Sequence, residues 1–271
     1  MSATVATLRR EVASIRSRLA PDRPVLTAPE VAARAGIVPD DWQRDLLAST
    51  ARQMILLCSR QSGKSTITAV LAAHQSAFVP DSLVLLLSPS LRQSSELFRK
   101  TREVLTALGD AAPPATEESA LRLEFPNGSR VCCLPGKEST IRGFSAPALV
   151  VEDEAARVDD ALYQAVRPML ATSGGRLILL STPWGKRGHF YESWEHGGEA
   201  WHRVRVTAAE VPRISPAFLE AERLAIPDNI YRSEYGVEFL ENDSQLFGDD
   251  DINAAVTADV APLLGGFGHA A

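Results

Sequence analysis

The sequence predicts an α/β fold in which a mostly parallel β-sheet is flanked by helices, and two observations predict it. The first is a set of apolar runs that predict strands, at residues 54–57, 83–87, 149–151 and 177–180. These runs are continuous rather than alternating, which is typical of strands buried on both faces. The second is a set of helical patterns between them, at residues 64–78, 93–108 and 161–170. Strands that alternate with helices form parallel sheets with right-handed crossovers.

Helices are also predicted ahead of the first strand. An amphipathic pattern in residues 1–20 predicts one of them. Thr27 with Glu30, and Asp40 with Gln43, have the spacing of capping boxes that open two short helices. The alternation of strands and helices begins after these segments.

Two further features extend the pattern. The turn sequence Pro126-Asn127-Gly128 predicts a hairpin between strands at residues 121–125 and 130–134. After residue 206 the chain becomes helical and acidic, with helices predicted at residues 216–223 and 229–239.

The composition is that of an ordinary globular protein. The chain has 271 residues and a mass of 29.3 kDa, with 45% hydrophobic and 23% charged residues. These values fit one large domain with a small appendage and exclude collagen-like, fibrous and wholly disordered proteins. No apolar run is long enough to span a bilayer, and Arg9, Arg10 and Glu11 interrupt any secretory signal. Three cysteines, including the neighbours Cys132 and Cys133, favour a reduced compartment, so we expect a soluble intracellular protein that is not secreted.

The net charge of −6 is unevenly distributed along the chain. Residues 210–271 hold 12 acidic and 3 basic side chains, which leaves residues 1–209 with a balance of +3. Tight nucleic-acid binding usually goes with a strongly basic chain. The composition therefore favours only weak or transient contacts to phosphate, made by the first three quarters of the chain.

A phosphate-binding loop is predicted between the first strand and the helix that follows it. Gly63-Lys64-Ser65 lies at this junction, and the flanking strand and helix distinguish a phosphate loop from a chance match. Lys64 would reach the β- and γ-phosphates of a nucleotide, and the Ser65 hydroxyl would bind Mg²⁺. Cys58 replaces the first glycine of the general pattern. The loop residues predicted to contact ATP are Ser59, Arg60, Gln61, Ser62, Gly63, Lys64, Ser65 and Thr66.

Two acids at the carboxyl end of the third apolar run predict hydrolysis. We assign Asp153 to Mg²⁺ and Glu154 to the attacking water, because a hydrolase needs a group that orients and deprotonates the water. Glu152 stands where an apolar residue is expected and leaves the choice of catalytic acid open. The next strand ends at Ser181-Thr182-Pro183, whose hydroxyls could sense the γ-phosphate or the catalytic acid. The predicted fold is therefore a P-loop NTPase core of the ASCE type.

Three arginines are candidates for stabilising the charge that develops on the transferring phosphoryl group. Arg60 lies within the loop, Arg142 precedes the acidic strand, and Arg187 follows Ser-Thr-Pro. Arg142 could equally be a structural arginine paired with a carboxylate. Upstream, Trp42 and Gln43 are assigned to ATP, and the Gln43 amide could bond the adenine edge or only close a capping box.

Six motifs follow one another along the chain, at residues 42–44, 59–65, 87–93, 141–143, 150–155 and 181–185. Their order resembles the ATPase domain of the large terminase subunit of tailed bacteriophages, over about residues 39–247. The arginine placed early in the phosphate loop is the most specific of these features. The resemblance implies an ATP-hydrolysing, Mg²⁺-dependent motor that drives double-stranded viral DNA into a procapsid.

The resemblance also implies that the acidic helical stretch after Val206 is a small helical lid subdomain packed on the core, and it implies roles and partners. By it, Gln43 contacts adenine, Ser181, Thr182 and Pro183 form a coupling motif, and Arg142 serves a neighbouring subunit of a homo-oligomeric ring. The implied partners are viral DNA, the portal protein and the small terminase subunit, with no membrane. The implied location is the host cytoplasm at the procapsid portal.

Four regions are expected. They are an N-terminal helical segment at residues 1–38, the ATPase core at 39–208, the lid at 209–248 and a tail at 249–271. Large terminase subunits also carry a nuclease domain, and this chain ends where that domain would begin. The adjacent acids Asp249, Asp250 and Asp251 point in divergent directions and cannot converge on two metals, so we expect no nuclease activity.

Other functions fit parts of the pattern. A superfamily-2-like DNA-dependent ATPase or helicase half would need a second ATPase fold, and too few residues follow the last core strand to form one. A P-loop kinase would not need Glu154, and a nucleotide-gated binding module would not turn ATP over. DNA contact is the least marked feature, and its candidates are Lys186, Arg187, Arg92, Arg99, Lys100 and Arg102, although the last four could simply form a solvated helix face.

Overall fold

The structure is a computed structural model that describes residues 24–241. The predicted helix in residues 1–20, the tail from residue 249 and its three adjacent acids lie outside the described residues.

One eight-stranded sheet organises the described part of the chain. Its strands are β1 Gln53–Cys58, β2 Leu83–Ser88, β3 Glu117–Glu118, β4 Arg122–Glu124, β5 Arg130–Pro135, β6 Leu149–Asp153, β7 Arg176–Ser181 and β8 Trp201–Val206. They lie in the order β3-β4-β5-β2-β6-β7-β1-β8. In this spatial order the last six strands, β5-β2-β6-β7-β1-β8, are parallel to one another, whereas β3 and β4 extend one edge as antiparallel strands. The predicted mostly parallel sheet is confirmed.

Helices connect the strands and lie on both faces of the sheet. They are α1 Ala28–Arg34, α2 Asp41–Ala48, α3 Lys64–Phe78, α4 Leu91–Ala107, α5 Glu138–Ile141, α6 Asp160–Ser173, α7 Gly188–Glu195, α8 Pro216–Ala225 and α9 Asp228–Glu234. Short 3₁₀ turns occur at Gly109–Ala111, Ala155–Arg157 and Ala208–Glu210.

Two apolar layers cover the sheet. The first contains buried side chains of α1 to α4, such as Val31, Ile67 and Phe98. The second contains buried side chains of α6 and α7, such as Leu162 and Phe190. Because α1 shares its layer with the phosphate-loop helix α3, the predicted boundary at residue 38 separates α1 from the core in sequence but not in packing.

The strand order places three chemically important strand ends side by side. β7 lies between β1 and β6, so the end of β7 at Ser181 separates the phosphate loop after Cys58 from Asp153 at the end of β6. An extra strand at this position is what the ASCE type of P-loop fold has, and that prediction is confirmed.

Several elements differ from the sequence prediction. Strand β8 and helix α7 were not predicted. β8 lies at the edge of the sheet, where side chains reach solvent, and it carries the polar residues His202, Arg203 and Arg205 among its apolar ones. The helix predicted at residues 229–239 ends at Glu234, and Val237 then takes a left-handed φ of +54°.

The expectations about membrane-spanning segments and about the cysteines can be compared with the described residues. No helix within residues 24–241 is long and apolar enough to cross a membrane. All three cysteines are free and buried.

Candidate active site

The phosphate loop folds against the carboxyl edge of the sheet. The Ser59 amide donates to the Val206 carbonyl at 2.9 Å, which fixes the start of the loop beside β8. Gln61 and Gly63 both take left-handed conformations, with φ of +59° and +88°. Lys64 then begins α3, so the helix N-terminus and its free amides face the loop.

Gly63 cannot be replaced without moving its neighbours. A Cβ there would lie 2.7 Å from Gln43 Nε2. That amide nitrogen donates to the Ser62 carbonyl at 3.2 Å, and Arg213 Nη2 donates to the same carbonyl at 3.0 Å. Arg213 also forms a two-pronged ion pair with Asp40, at 2.7 and 2.8 Å.

The loop side chains meet the two acids of β6. Lys64 Nζ lies 3.2 Å from Glu154 Oε1, and Ser65 Oγ donates to Asp153 Oδ2 at 3.0 Å. Thr66 is half-buried in the same first turn of α3. The structure therefore brings together the four residues that the sequence assigned to phosphate, metal and water.

Asp153 is suited to a divalent cation. Burial raises the pKa of this carboxyl above its ordinary 3.8, although the positive charge of Lys64 opposes the rise. The Ser65 hydroxyl and the Asp153 carboxylate are both hard oxygen donors, the kind that Mg²⁺ prefers. A cation shared with a nucleotide would offset the cost of burying the charged carboxylate, so the residues present fit Mg²⁺.

Glu154 holds an unusual backbone conformation. Its φ of +55° and ψ of +41° are left-handed, in a residue that has a Cβ. Such a conformation costs about 1–3 kcal/mol and persists only where the surroundings impose it. Its amide donates to Asp153 Oδ1 at 3.0 Å, so the two acids are held in a fixed relation.

Cys58, in place of the usual glycine, ends β1 with its side chain in the core. Burial raises the pKa of the Cys58 thiol to about 12. The thiol therefore stays protonated near neutral pH and is a packing group.

Arg60 lies in the phosphate loop, as the sequence predicts, and its side chain contacts another part of the chain. Its guanidinium forms an ion pair with Glu234 at the end of α9, in which Nη2 lies 3.1 Å from Oε1. Its backbone amide also donates to the Glu234 carbonyl at 3.4 Å. The Glu234 carboxylate thus holds Arg60. The contact of Arg60 with a γ-phosphate stays a prediction, and it requires this pair to open.

Gln43 forms a capping box with Asp40, which is one of the two roles that the sequence predicts for it. The Asp40 amide donates to Gln43 Oε1 at 3.0 Å, and the other end of the side chain holds the Ser62 carbonyl. Both ends of the amide are engaged, so its contact with adenine stays a prediction. Beside it lies an open cavity of about 460 Å³ whose lining includes Trp42, Arg205 and Pro212.

The coupling motif and the candidate arginines lie at the same edge or on the surface. Ser181, Thr182 and Pro183 are buried, and Ser181 Oγ has no hydrogen-bond partner among the described residues. Arg142 is exposed and pairs with Glu138 of its own helical turn. That geometry matches the structural interpretation of this arginine. Its proposed role toward a neighbouring subunit stays a prediction.

The basic side chains suggested for DNA contact are partly neutralised. Arg99 pairs with Glu96 and Glu103, and Arg102 pairs with Glu118. These pairs fit the simpler interpretation of α4 as a solvated charged face. Lys186 pairs with Glu241, whereas Arg187 is exposed just before α7.

Sequence reasoning missed a buried set of charged groups beside the acids. Glu152 is fully buried, and its Oε1 lies 2.7 Å from His189 Nε2. Asp160 Oδ1 accepts from the His189 amide at 2.7 Å and lies 3.1 Å from Nδ1. Burial lowers the pKa of His189, but the two carboxylates outweigh it and raise the pKa above 6.5. Only the unexpected acid at position 152 signalled this set in the sequence.

Comparison with known proteins places these features in a family. A family model described as "Terminase large subunit, T4likevirus-type, N-terminal" matches residues 55–254. The chain belongs to this family. It is 27% identical over 253 residues to the large terminase subunit of Thermus virus P23-45, covering 80% of this chain and 52% of that protein. The chain thus spans about half the length of the curated relatives it matches.

Solved terminase structures have the same fold. The Thermus phage P74-26 large terminase ATPase domain superposes with a TM-score of 0.69 at 24% identity, covering 77% of this chain and 97% of that one. The large terminase of a thermophilic bacteriophage, solved in complex with ADP, gives 0.60 at 13% identity, covering 74% and 52%. At these identities the likeness establishes the fold.

We predict that Gly63→Ala weakens nucleotide binding at least about ten-fold, because the new Cβ displaces the Gln43 amide from the Ser62 carbonyl and strains the loop backbone. Gly109→Ala is the matched control, since Gly109 also has a left-handed φ, of +54°, but nothing within 4 Å of its Cβ position. Titration with a fluorescent ATP analogue measures both. Equal affinities for the two variants would contradict the prediction.

Proposed function

We propose that this chain is the ATP-hydrolysing motor domain of a viral terminase large subunit and drives double-stranded DNA into a procapsid. The observation that carries the proposal is the meeting of the phosphate loop with two acids, in the contacts Lys64–Glu154 and Ser65–Asp153. Membership of the terminase family supports the substrate and the motor role.

The four residues have separate tasks in this proposal. Lys64 binds the β- and γ-phosphates, while Ser65 and Asp153 hold Mg²⁺, which when bound neutralises charge on the phosphates. Glu154 orients the attacking water and accepts its proton. The Lys64–Glu154 pair is the resting arrangement, because phosphate oxygens compete for Lys64 and thereby release the Glu154 carboxylate for the water.

A cavity beside the loop is a candidate site for the remaining parts of the nucleotide. Its lining includes the carboxylates of Asp40, Asp41 and Glu210 as well as Trp42 and Arg205, and we propose that the base and the ribose contact the Trp42 ring and the Arg205 cation. The relative from the thermophilic bacteriophage is described in complex with ADP, which supports an adenine nucleotide as the ligand.

The partners follow from the family and belong to the proposal. They are double-stranded viral DNA bound weakly and transiently, the portal protein, the small terminase subunit and further copies of the chain in a ring. The place of action is the host cytoplasm at the procapsid portal. Within a ring a few cations on each subunit are multiplied, so weak, salt-sensitive phosphate contacts suffice for movement along DNA.

ATP turnover tests the proposed activity directly. We expect the wild-type chain to hydrolyse ATP with Mg²⁺, duplex DNA to stimulate it, and Lys64→Ala to remove it. Glu154→Gln should lower the rate about 100-fold or more, because the water then lacks its base. Turnover of the Glu154→Gln variant at the wild-type rate would contradict the assignment of the base.

Mixing inactive variants tests the role of Arg142. If Arg142 serves the next subunit, activity per subunit rises with protein concentration, and a mixture of Arg142→Ala with Glu154→Gln is more active than either variant alone. Arg187→Ala replaces Arg142→Ala in a parallel mixture, because Arg187 is the competing candidate. Constant activity on dilution, with no recovery in either mixture, would mean that one chain forms the complete site.

A further inference from the structure

The left-handed backbone of Glu154 needs something to hold it. A residue with a Cβ keeps such a conformation only when the contacts on either side impose it. The backbone of Glu154 takes part in two hydrogen bonds. Its amide donates to the Asp153 carboxylate, and its carbonyl accepts from the Arg157 amide at 2.9 Å. Both of these are local, and the long-range contact of Glu154, with Lys64, is made by the end of its side chain. The backbone of the segment therefore depends on anchors on either side of Glu154.

The anchor before Glu154 is buried. Glu152 lies two residues ahead, with its side chain on the face of the sheet that α7 covers. Its Oε1 bonds His189 Nε2, and its Oε2 has no hydrogen-bond partner among the described residues, so His189 alone holds the carboxylate. The His189 ring is 4% exposed and stacks on Tyr163, with centroids 4.6 Å apart. Asp160 fixes the other ring nitrogen.

The anchor after Glu154 lies on the surface. The guanidinium of Arg157 stacks on the ring of Trp184, 3.8 Å from its centroid. Trp184 follows the Ser181–Pro183 motif directly. Both anchors therefore join one stretch of chain, residues 152–157, to one other stretch, residues 181–189.

We propose that Glu152 and His189 are positioning residues that hold the Glu154 carboxylate in place by tying the catalytic segment to the segment that carries the coupling motif. The Arg157–Trp184 stack is the second tie. The role in catalysis rests on the proposed function, whereas the tie itself is a property of the folded chain. A buried ion pair can also serve the fold alone, so the experiment separates local positioning from general stability.

The first measurement is amide hydrogen exchange on the full chain without nucleotide. The variant is Glu152→Leu/His189→Leu, which removes both side chains of the buried pair together and so leaves neither polar group without its partner. We expect exchange across residues 154–159 to rise at least about ten-fold, with less than a two-fold change across α3. The matched control His196→Leu, at the other end of α7, should change neither region.

Two outcomes would overturn the proposal. Unchanged exchange at residues 154–159 would show that Glu154 holds its conformation without the tie. A parallel rise at residues 154–159 and in α3 would show that the pair stabilises the whole domain and positions nothing in particular.

The second measurement separates binding from the chemical step. In the double variant we expect kcat for ATP to fall at least about ten-fold while KM changes less than about two-fold, since the phosphate loop is untouched. His189→Gln keeps a donor toward Glu152 and should recover a substantial part of kcat. Unchanged kcat, or equal changes in kcat and KM, would contradict the positioning role. If the wild-type chain shows no turnover above Lys64→Ala, the proposed function fails, and hydrogen exchange still decides whether the tie exists.

Discussion

Lys64 and Glu154 meet across the carboxyl edge of the sheet, and the other parts of the site are arranged around that ion pair. The contact exists because parallel strands end on the same side and because β7 sets the spacing between β1 and β6. The Lys64 side chain is almost fully buried, and Glu154 gives its charge the partner without which burial would be costly. In the proposed function, phosphate takes Lys64 and leaves the acid available to water. Substrate binding and activation of the base would then be one event.

The segment that follows β8, which the sequence predicts to be a lid, contacts the phosphate loop through charged side chains. Arg60 pairs with Glu234, and Arg213 bridges Asp40 and the Ser62 carbonyl. Helices α8 and α9 bury no side chain fully, whereas Val211 and Val237 beside them are buried in the two apolar layers of the core. An exposed pair such as Arg60–Glu234 contributes roughly 0–1 kcal/mol, which the charge-assisted bonds of a phosphate exceed. The predicted contact of Arg60 with a γ-phosphate would therefore require little energy to break this pair.

Local sequence signals predicted the buried strands, the helix α3, the phosphate loop and the two acids. Continuous apolar runs and a glycine before a helix depend on near neighbours in sequence, so a single chain reveals them. The contacts that were missed join distant residues: Arg60 and Glu234 are 174 positions apart, and Glu152 and His189 are 37 apart. The sequence around each of these residues does not indicate which distant residue it contacts. The edge strand β8 was missed for a different reason, because its charged side chains interrupt the apolar pattern that marked the inner strands.

The division of labour between Asp153 and Glu154 is the central claim of this account. Binding of ATP at equilibrium, with and without Mg²⁺, tests it in Asp153→Asn, in Glu154→Gln and in the wild-type chain. We expect Glu154→Gln to bind ATP as tightly as wild type and with the same gain from Mg²⁺, because it alters only the group that acts on water. Asp153→Asn should lose the gain from Mg²⁺. If both variants lost the Mg²⁺-dependent binding equally, or if Asp153→Asn retained it in full, the two acids would not have separate roles and the assignment would be wrong.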